Sequence, residues 1–381
     1  MNSLSKILVA ADDLTGASEL GAIALKHGLT SRIILGDEDP DQFREDVIII
    51  DTDSRNLSPA LAKEKLKKRA SGIRRDEYSL IYKKVDSLLR GPVLSELEGF
   101  ASGLGFESCI LAPANPSLGR VVKGGKYFVN NIPLSQTEFS HDPDYPRLSD
   151  DVNELLLKET RSSAGPFYTR ISVPDILSDK DLAGIAASSD ITTCLAAGGA
   201  DFFESLLGSV LKLKPAVAEF SYLLPGKKCF IIGSQSDSTK ATKALLVRKD
   251  YKRITISGPA ENKGDDSLRE LILKEAKEGR NLMITLPDEL ISDRILAEKY
   301  YERLVKLAGQ IIEEYYNSYT FLIEGGRTAS GIFRMLGCSS LIVSSDYGGG
   351  ATGLLIEGPR TEILIKPGSY KWPENILRFE N

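Results

Sequence analysis

Histidine is nearly absent from this chain: His27 and His141 are the two in 381 residues. That leaves no histidine cluster for a metal centre and weakens any Ser-His-Asp hydrolase reading. Cysteine is sparse as well. Cys109, Cys194, Cys229 and Cys338 lie far apart in sequence, none at metal-ligand spacing, and read as core residues with no metal or redox role. No apolar run approaches the length that spans a membrane. No apolar stretch with a cleavage signature follows the first residues, so the expected location is cytoplasmic. A net charge of −5 gives no electrostatic footprint for nucleic acid. A Gly-x-x-x-x-Gly-Lys-Ser/Thr phosphate loop is missing, and there is no solenoid period or low-complexity segment.

What is present is ordinary for a globular protein, with 42% hydrophobic and 27% charged residues. The length predicts two domains. Apolar runs at Ile7–Ala10, Arg32–Leu35, Val47–Ile50, Leu80–Tyr82 and Ser108–Ala112 read as strands covered on both faces. Helical patterns at Ala17–His27, Pro59–Ala70 and Pro92–Gly105 alternate with them. This rhythm predicts an α/β fold of largely parallel sheets flanked by helices. Residues Pro113 to Pro146, rich in Pro, Gly, Asn and Ser, break it and read as a long functional loop or lid. Ser221–Lys228, carrying Pro225-Gly226, is the expected linker, dividing the chain into domains 1–222 and 223–381. A second α/β block follows, with strands at Cys229–Ile232, Leu282–Thr285, Thr320–Ile323 and Glu362–Ile365.

Polar clusters sit at the C-terminal ends of these strands, where open α/β sheets bind ligands. In the first block they are Asp12-Asp13, Asp51 to Arg55, and Lys83-Lys84-Val85-Asp86-Ser87 through Arg90. Asp12 or Asp13 is a candidate to orient and deprotonate a hydroxyl, although either equally suits a helix cap. Arg55, Lys83, Lys84 and Arg90 are candidates to hold a carboxylate or phosphate, or are simply solvated cations. In the second block, Gly233-Ser234 through Ser236 and Thr239, and Gly325-Gly326-Arg327-Thr328, lie between a strand and a helix. Glycine, hydroxyls and a helix N-terminus there suit a nucleotide phosphate chain, or plain capping. One Gly-x-Gly-x-x-Gly match, at Gly348, Gly350 and Gly353, lacks the following helix that a dinucleotide site needs.

Taken together, these motifs resemble the four-carbon acid sugar kinases, long catalogued as a domain of unknown function. The family's Ala-Asp-Asp-Phe/Leu-Thr-Gly-Ala reads here as Ala11 to Ala17, its Asp-Thr-x-Ser-Arg as Asp51 to Arg55, and its Lys-Lys-x-Asp-Ser-Thr-Leu-Arg-Gly as Lys83 to Gly91, with Leu88 for Thr. A middle loop with Pro116, Gly119-Arg120, Gly124 to Tyr127 and Asp142-Pro143 is also similar. In the second block the likeness covers Gly233 to Thr239, Gly325 to Thr328 and Lys366 to Tyr370, with Arg327 where the family has Asp. The resemblance implies an enzyme that phosphorylates a tetronate or 3-oxo-tetronate with ATP and Mg²⁺. It implies that Asp12, Arg55 and Lys84 to Ser87 contact the acid, and that Ser234, the Gly325 to Thr328 turn and Gly368 contact ATP. The expected partners are therefore small molecules. Closure of the two domains is expected to expel water before transfer. A non-catalytic sensor that kept the fold, favoured by Arg327, is the alternative; an NAD-dependent dehydrogenase, motivated by the Gly348 match alone, ranks below it.

Overall fold

The structure is a computed structural model. It describes residues 6–142, 145–158, 166–215, 224, 226–258, 265–289, 291, 293–358 and 361–377. It divides into two compact units, Met1–Val217 and Ala218–Asn381. The expected boundary at 222/223, much of the expected linker, and Pro143 lie outside the described residues. Among the described residues no helix is long and apolar enough to cross a membrane.

The first unit carries strands β1 (Lys6–Ala11), β2 (Ser31–Ile34), β3 (Val47–Asp51), β4 (Tyr78–Lys84), β5 (Ser108–Ala112), β6 (Arg120–Lys123), β7 (Lys126–Val129), β8 (Ile132–Pro133), β9 (Ile171–Ser172) and β10 (Cys194–Gly198). Its helices are α1 (Leu14–Lys26), α2 (Pro59–Ala70), α3 (Val93–Leu104), α4 (Val152–Lys158), α5 (Asp179–Ser188) and α6 (Ala200–Ser209). The main sheet runs β2-β3-β1-β4-β10-β5-β9, and its pairings are parallel. Ile7 to Ala11 are fully buried, as continuous apolar strands are when helices cover both faces. The chain leaves β1 toward β2 and β3 on one side and later fills β4 on the other. The ends of β3, β1 and β4 therefore stand side by side at the point where strand order reverses, where such sheets bind ligands.

The long loop expected over 113–146 is more ordered than its composition suggests. It folds a small antiparallel sheet, β6-β7-β8, with Val122 and Tyr127 buried beneath it. The high content of turn residues hid three strands only two to four residues long.

The second unit carries β11 (Lys227–Ile232), β12 (Lys252–Thr255), β13 (Leu282–Thr285), β14 (Tyr319–Glu324), β15 (Ser340–Gly348), β16 (Ala351–Ile356) and β17 (Thr361–Lys366). Its helices are α7 (Asp237–Arg248), α8 (Asp265–Lys277), α9 (Arg294–Tyr315), α10 (Gly326–Met335) and α11 (Glu374–Leu377). The order is β12-β13-β11-β14-β17-β16-β15, parallel through β17 and antiparallel beyond it. Phe230, Trp372, Tyr251 and Met283 share its buried core, with the Trp372 ring edge-on to Phe230 at 5.5 Å. The Gly348 motif is the turn of the β15–β16 hairpin, and Gly353 lies inside β16. Among the described residues the next element is strand β17 rather than a helix, so the dehydrogenase alternative loses its one motif.

Candidate functional site

The first cluster is assembled by backbone contacts between neighbouring strand ends. Thr52 N–H donates to Ala11 O at 2.9 Å, and Ser54 N–H donates to Asp12 O at 3.0 Å. This docks the loop after β3 onto the loop after β1. It is why Arg55, 42 residues from Asp13, reaches both aspartates. Arg55 Nε donates to Asp12 Oδ2 at 2.6 Å and Nη1 to Asp13 Oδ2 at 2.8 Å, while Nη2 stands 3.7 Å from Asp86 Oδ2. Gly91, at φ 88°, presses against the same segment: a Cβ there would lie 2.9 Å from Arg55 O, so both conformation and space call for glycine.

After β4 the chain winds around Asp86. Its Oδ1 accepts from the backbone of Leu88 at 3.0 Å and of Arg90 at 3.2 Å, an Asx-type turn. Its two oxygens also take Arg90 Nε at 3.0 Å and Nη2 at 2.8 Å, and Arg90 Nη1 reaches Asp142 at 3.2 Å. Leu89 sits at φ 58°, an uncommon conformation for a bulky residue. Its N–H donates to Asp86 O, and its carbonyl accepts from buried Arg147 at 2.9 Å. Such over-determined strain collects at functional sites. Tyr145 closes this side, donating its hydroxyl to Arg55 O at 2.5 Å.

The two neighbouring aspartates have different duties. Asp13 caps α1: Oδ1 accepts Gly16 N–H at 2.8 Å, and Oδ2 accepts the Thr15 hydroxyl at 2.6 Å as well as Arg55. Burial pushes its carboxyl up, but Arg55, Thr15, the Gly16 amide and Lys84 together hold it below the usual range. Asp12 is 2% exposed, and its Oδ1 has no hydrogen-bond partner among the described residues. Burial likewise pushes Asp86 up, yet Arg90, Arg55 and Lys84 hold it well below the usual carboxylate range.

Lys83 corrects an expectation. Successive strand residues face opposite sides of a sheet, and Lys83 turns to α3. There it pairs with Glu96 at 2.9 Å, the two side chains being 0% and 1% exposed. Glu96 also accepts the Ser54 hydroxyl at 2.5 Å. Lys83 therefore has no face to offer a ligand. Lys84 turns the other way, toward α1, 3.4 Å from Glu19 and with Nζ donating to Val85 O. Ser87 is 6% exposed and accepts Arg120 Nη1 at 2.5 Å.

In the second unit β11, β14 and β17 are neighbours, so the loops that follow them meet. A Cβ on Gly368 would lie 2.7 Å from Ser234 Cβ and 4.0 Å from Gly325 Cα, so all three positions adjoin. Ser236 caps α7, accepting Thr239 N–H at 3.2 Å, and donates its hydroxyl to Gly368 O at 2.6 Å. Helix α10 begins at Gly326, earlier than the sequence suggested, so Gly326, Arg327 and Thr328 form its first turn. Arg327 leaves this group: it pairs with Glu298 at 2.5 Å and stacks 4.1 Å over Tyr301 on α9.

Beneath these loops lies a device that the sequence did not single out. Glu324 and Lys366, each 0% exposed, pair at 3.3 Å. Glu324 also accepts the Trp372 indole N–H at 2.9 Å and the Thr239 hydroxyl. Lys366 donates to Pro367 O and Tyr370 O. Burial lowers the Lys366 ammonium from its usual range, against the pull of Glu324. A signal was available: two charged residues ending apolar strands must be paired if buried.

Residues 7–170 match the family described as the sugar-binding N-terminal domain. D-erythronate kinase of Heliobacterium modesticaldum is 30% identical over 236 residues, covering 55% of this chain and 54% of that protein. The chain thus spans about half the length of that relative in the match. A 3-oxo-tetronate kinase of Brucella melitensis biotype 1 is 21% identical over 95% of this chain and 92% of its own. Among solved structures, a Haemophilus influenzae protein of a domain-of-unknown-function family superposes with TM-score 0.67 at 18% identity, over 97% and 98% of the two chains. That likeness concerns the fold. Together the matches agree with the four-carbon acid sugar kinase resemblance drawn from the motifs.

Proposed function

We propose that this chain, whose motifs and relatives match the four-carbon acid sugar kinase family, transfers the γ-phosphoryl group of ATP to a hydroxyl of a small sugar acid such as threonate, erythronate or a 3-oxo-tetronate. The observation that carries the reading is the state of Asp12. One of its oxygens is gripped by Arg55 and the other is buried without a partner among the described residues, at the strand-order reversal. A buried unpaired acceptor is costly and is satisfied when a substrate hydroxyl donates to it. Asp12 is then placed to take that proton as the oxygen attacks phosphorus, a role worth about 10²–10⁴-fold in rate. Asp13 holds the helix end and Arg55, and Asp86 holds Arg90 and Arg55 in register. Both act by positioning.

ATP is assigned to the second unit. Support comes from the adjoining Gly233-Ser234, Gly325-Gly326 and Gly368 segments at the starts of α7 and α10, where free helix N–H groups favour phosphate. Mg²⁺ would accompany ATP, keeping most of its ligands from phosphate and water. Glu324 is already committed to Lys366 and Trp372 and is not offered to it. The location in the cytoplasm is part of the same proposal.

The test is ADP release with ATP and Mg²⁺ across D- and L-threonate, D- and L-erythronate and their 3-oxo forms. Turnover of one acid supports the reading; no turnover of any overturns it. A sensor reading is favoured by one observation, that Arg327 replaces the family's Asp. Acid binding without turnover of any acid would select it.

A further inference from the structure

The cations around Asp12 are already spoken for. Arg55 is divided between Asp12 and Asp13 with Asp86 close by. Arg90 is divided between Asp86 and Asp142, Lys84 faces Glu19, and Lys83 is buried against Glu96. A sugar acid brings a carboxylate, and a guanidinium flanked by two or three carboxylates is a poor receiver of another. Arg120 differs. It arrives from β6, 33 residues beyond Ser87. Its partners are neutral: Nη1 donates to the Ser87 hydroxyl, and its guanidinium lies 5.6 Å over the Phe139 ring. It has no acidic partner among the described residues. Among the described residues, four of its five N–H donors are uncommitted, and the planar fork suits a carboxylate in bidentate fashion.

We propose that Arg120, held by Ser87 and Phe139 beside the Arg55–Asp86–Arg90 network, is the group that receives the carboxylate of the sugar acid and makes the site select acids over neutral polyols. The inference rests on the sugar-acid reading above. The small β6-β7-β8 sheet then acquires a purpose: it presents one cation to a site whose other cations are each paired with carboxylates.

The test is calorimetric binding of the acids without nucleotide, alongside steady-state kinetics, for wild type, Arg120→Gln and Arg120→Lys, with threitol and erythritol as neutral controls. Arg120→Gln should weaken acid binding by about 10–100-fold, the loss of a charge-assisted bidentate contact. Arg120→Lys should recover part of it as a point charge. The KM for ATP and the weak response to the polyols should stay as in wild type. Equal acid affinity in wild type and both variants overturns the assignment, as does a parallel loss for acids and polyols. Should Arg120→Gln fail to fold, Arg120→Lys decides alone: acid affinity equal to wild type, with fewer donors and no fork, overturns the assignment. Wild type that turns over an acid while the variants bind it normally refutes Arg120 and leaves the kinase standing. Wild type that binds acids through Arg120 without turnover refutes the kinase and leaves Arg120 standing. Wild type that binds no acid overturns both.

Discussion

The buried pair of Lys83 and Glu96 gives the sharpest test of how the first unit is held together. Neither side chain reaches solvent, the ions stand 2.9 Å apart, and Glu96 also accepts the Ser54 hydroxyl. Replacing Lys83 by Met leaves a buried carboxylate with one neutral partner. Replacing Glu96 by Gln leaves a buried ammonium. Each single change should cost ~3–5 kcal/mol, because an uncompensated charge stays in the interior. That is a large share of a total stability of about 5–15 kcal/mol. The double variant Lys83→Met/Glu96→Gln removes both charges and keeps an acceptor for Ser54. It should be no less stable than either single variant, so the coupling in the cycle should be ~3 kcal/mol or more. Urea unfolding followed by far-UV circular dichroism measures this. Trp372, the chain's one tryptophan, lies in the second unit, and its fluorescence serves as the internal control. Additive single costs, or a Lys83→Met cost below ~1 kcal/mol, the size of a surface ion pair, would refute the reasoning. The cycle also separates structure from binding. If Lys83 contacted the acid, the double variant would fold yet lose acid affinity, whereas the geometry requires it to retain that affinity within a few-fold.

Asp12→Asn, whose amide oxygen can still accept from Arg55, should lower kcat by about 10²–10⁴-fold, whereas Asp13→Ala, which removes the acceptor of the Gly16 N–H, should mainly cost stability, about 1 kcal/mol for a lost helix cap; near-wild-type kcat in Asp12→Asn would remove the proposed base. The depressed Asp86 carboxyl gives stability that is present in full above the unfolded-state pKa near ~3.9 and is lost as pH falls from there through the lower folded value. The melting-temperature gap between wild type and Asp86→Asn should therefore be widest at neutral pH and narrow below about pH 4; a gap that stays constant through that range would contradict the ion-pair account. In Gly368→Ala the new methyl meets Ser234, so the KM for ATP should rise at least about tenfold, as a misplaced site contact does, while acid affinity stays unchanged. Equal movement of both constants would argue against separate acid and nucleotide sites.

Much of this protein could be read locally. The apolar runs gave strands to within a residue or two, because a parallel strand buried on both faces has no polar position to blur its edges. The polar clusters were legible for a related reason: charge tolerated at the end of such a strand marks the side of the sheet where loops gather. The small sheet over 120–133 was not legible, since strands two to four residues long carry no periodicity to detect.

The sequence by itself therefore determined the long buried strands, the helices that alternate with them, and which polar clusters end those strands. It could not say which charges meet. Lys83 and Lys84 are neighbours in the chain, yet strand alternation sends one to Glu96 and the other to Glu19. Asp12 and Asp13 read as equals until the start of α1 claimed Asp13 as its cap. Arg327 read as a charge within the glycine turn until α9 drew it away. Arg120 acquired its place only when β6 brought it to Ser87. Periodicity and capping act over a few residues and are written in local order. Ion pairing depends on strand order and on which helix covers which face, and those are properties of the folded chain alone.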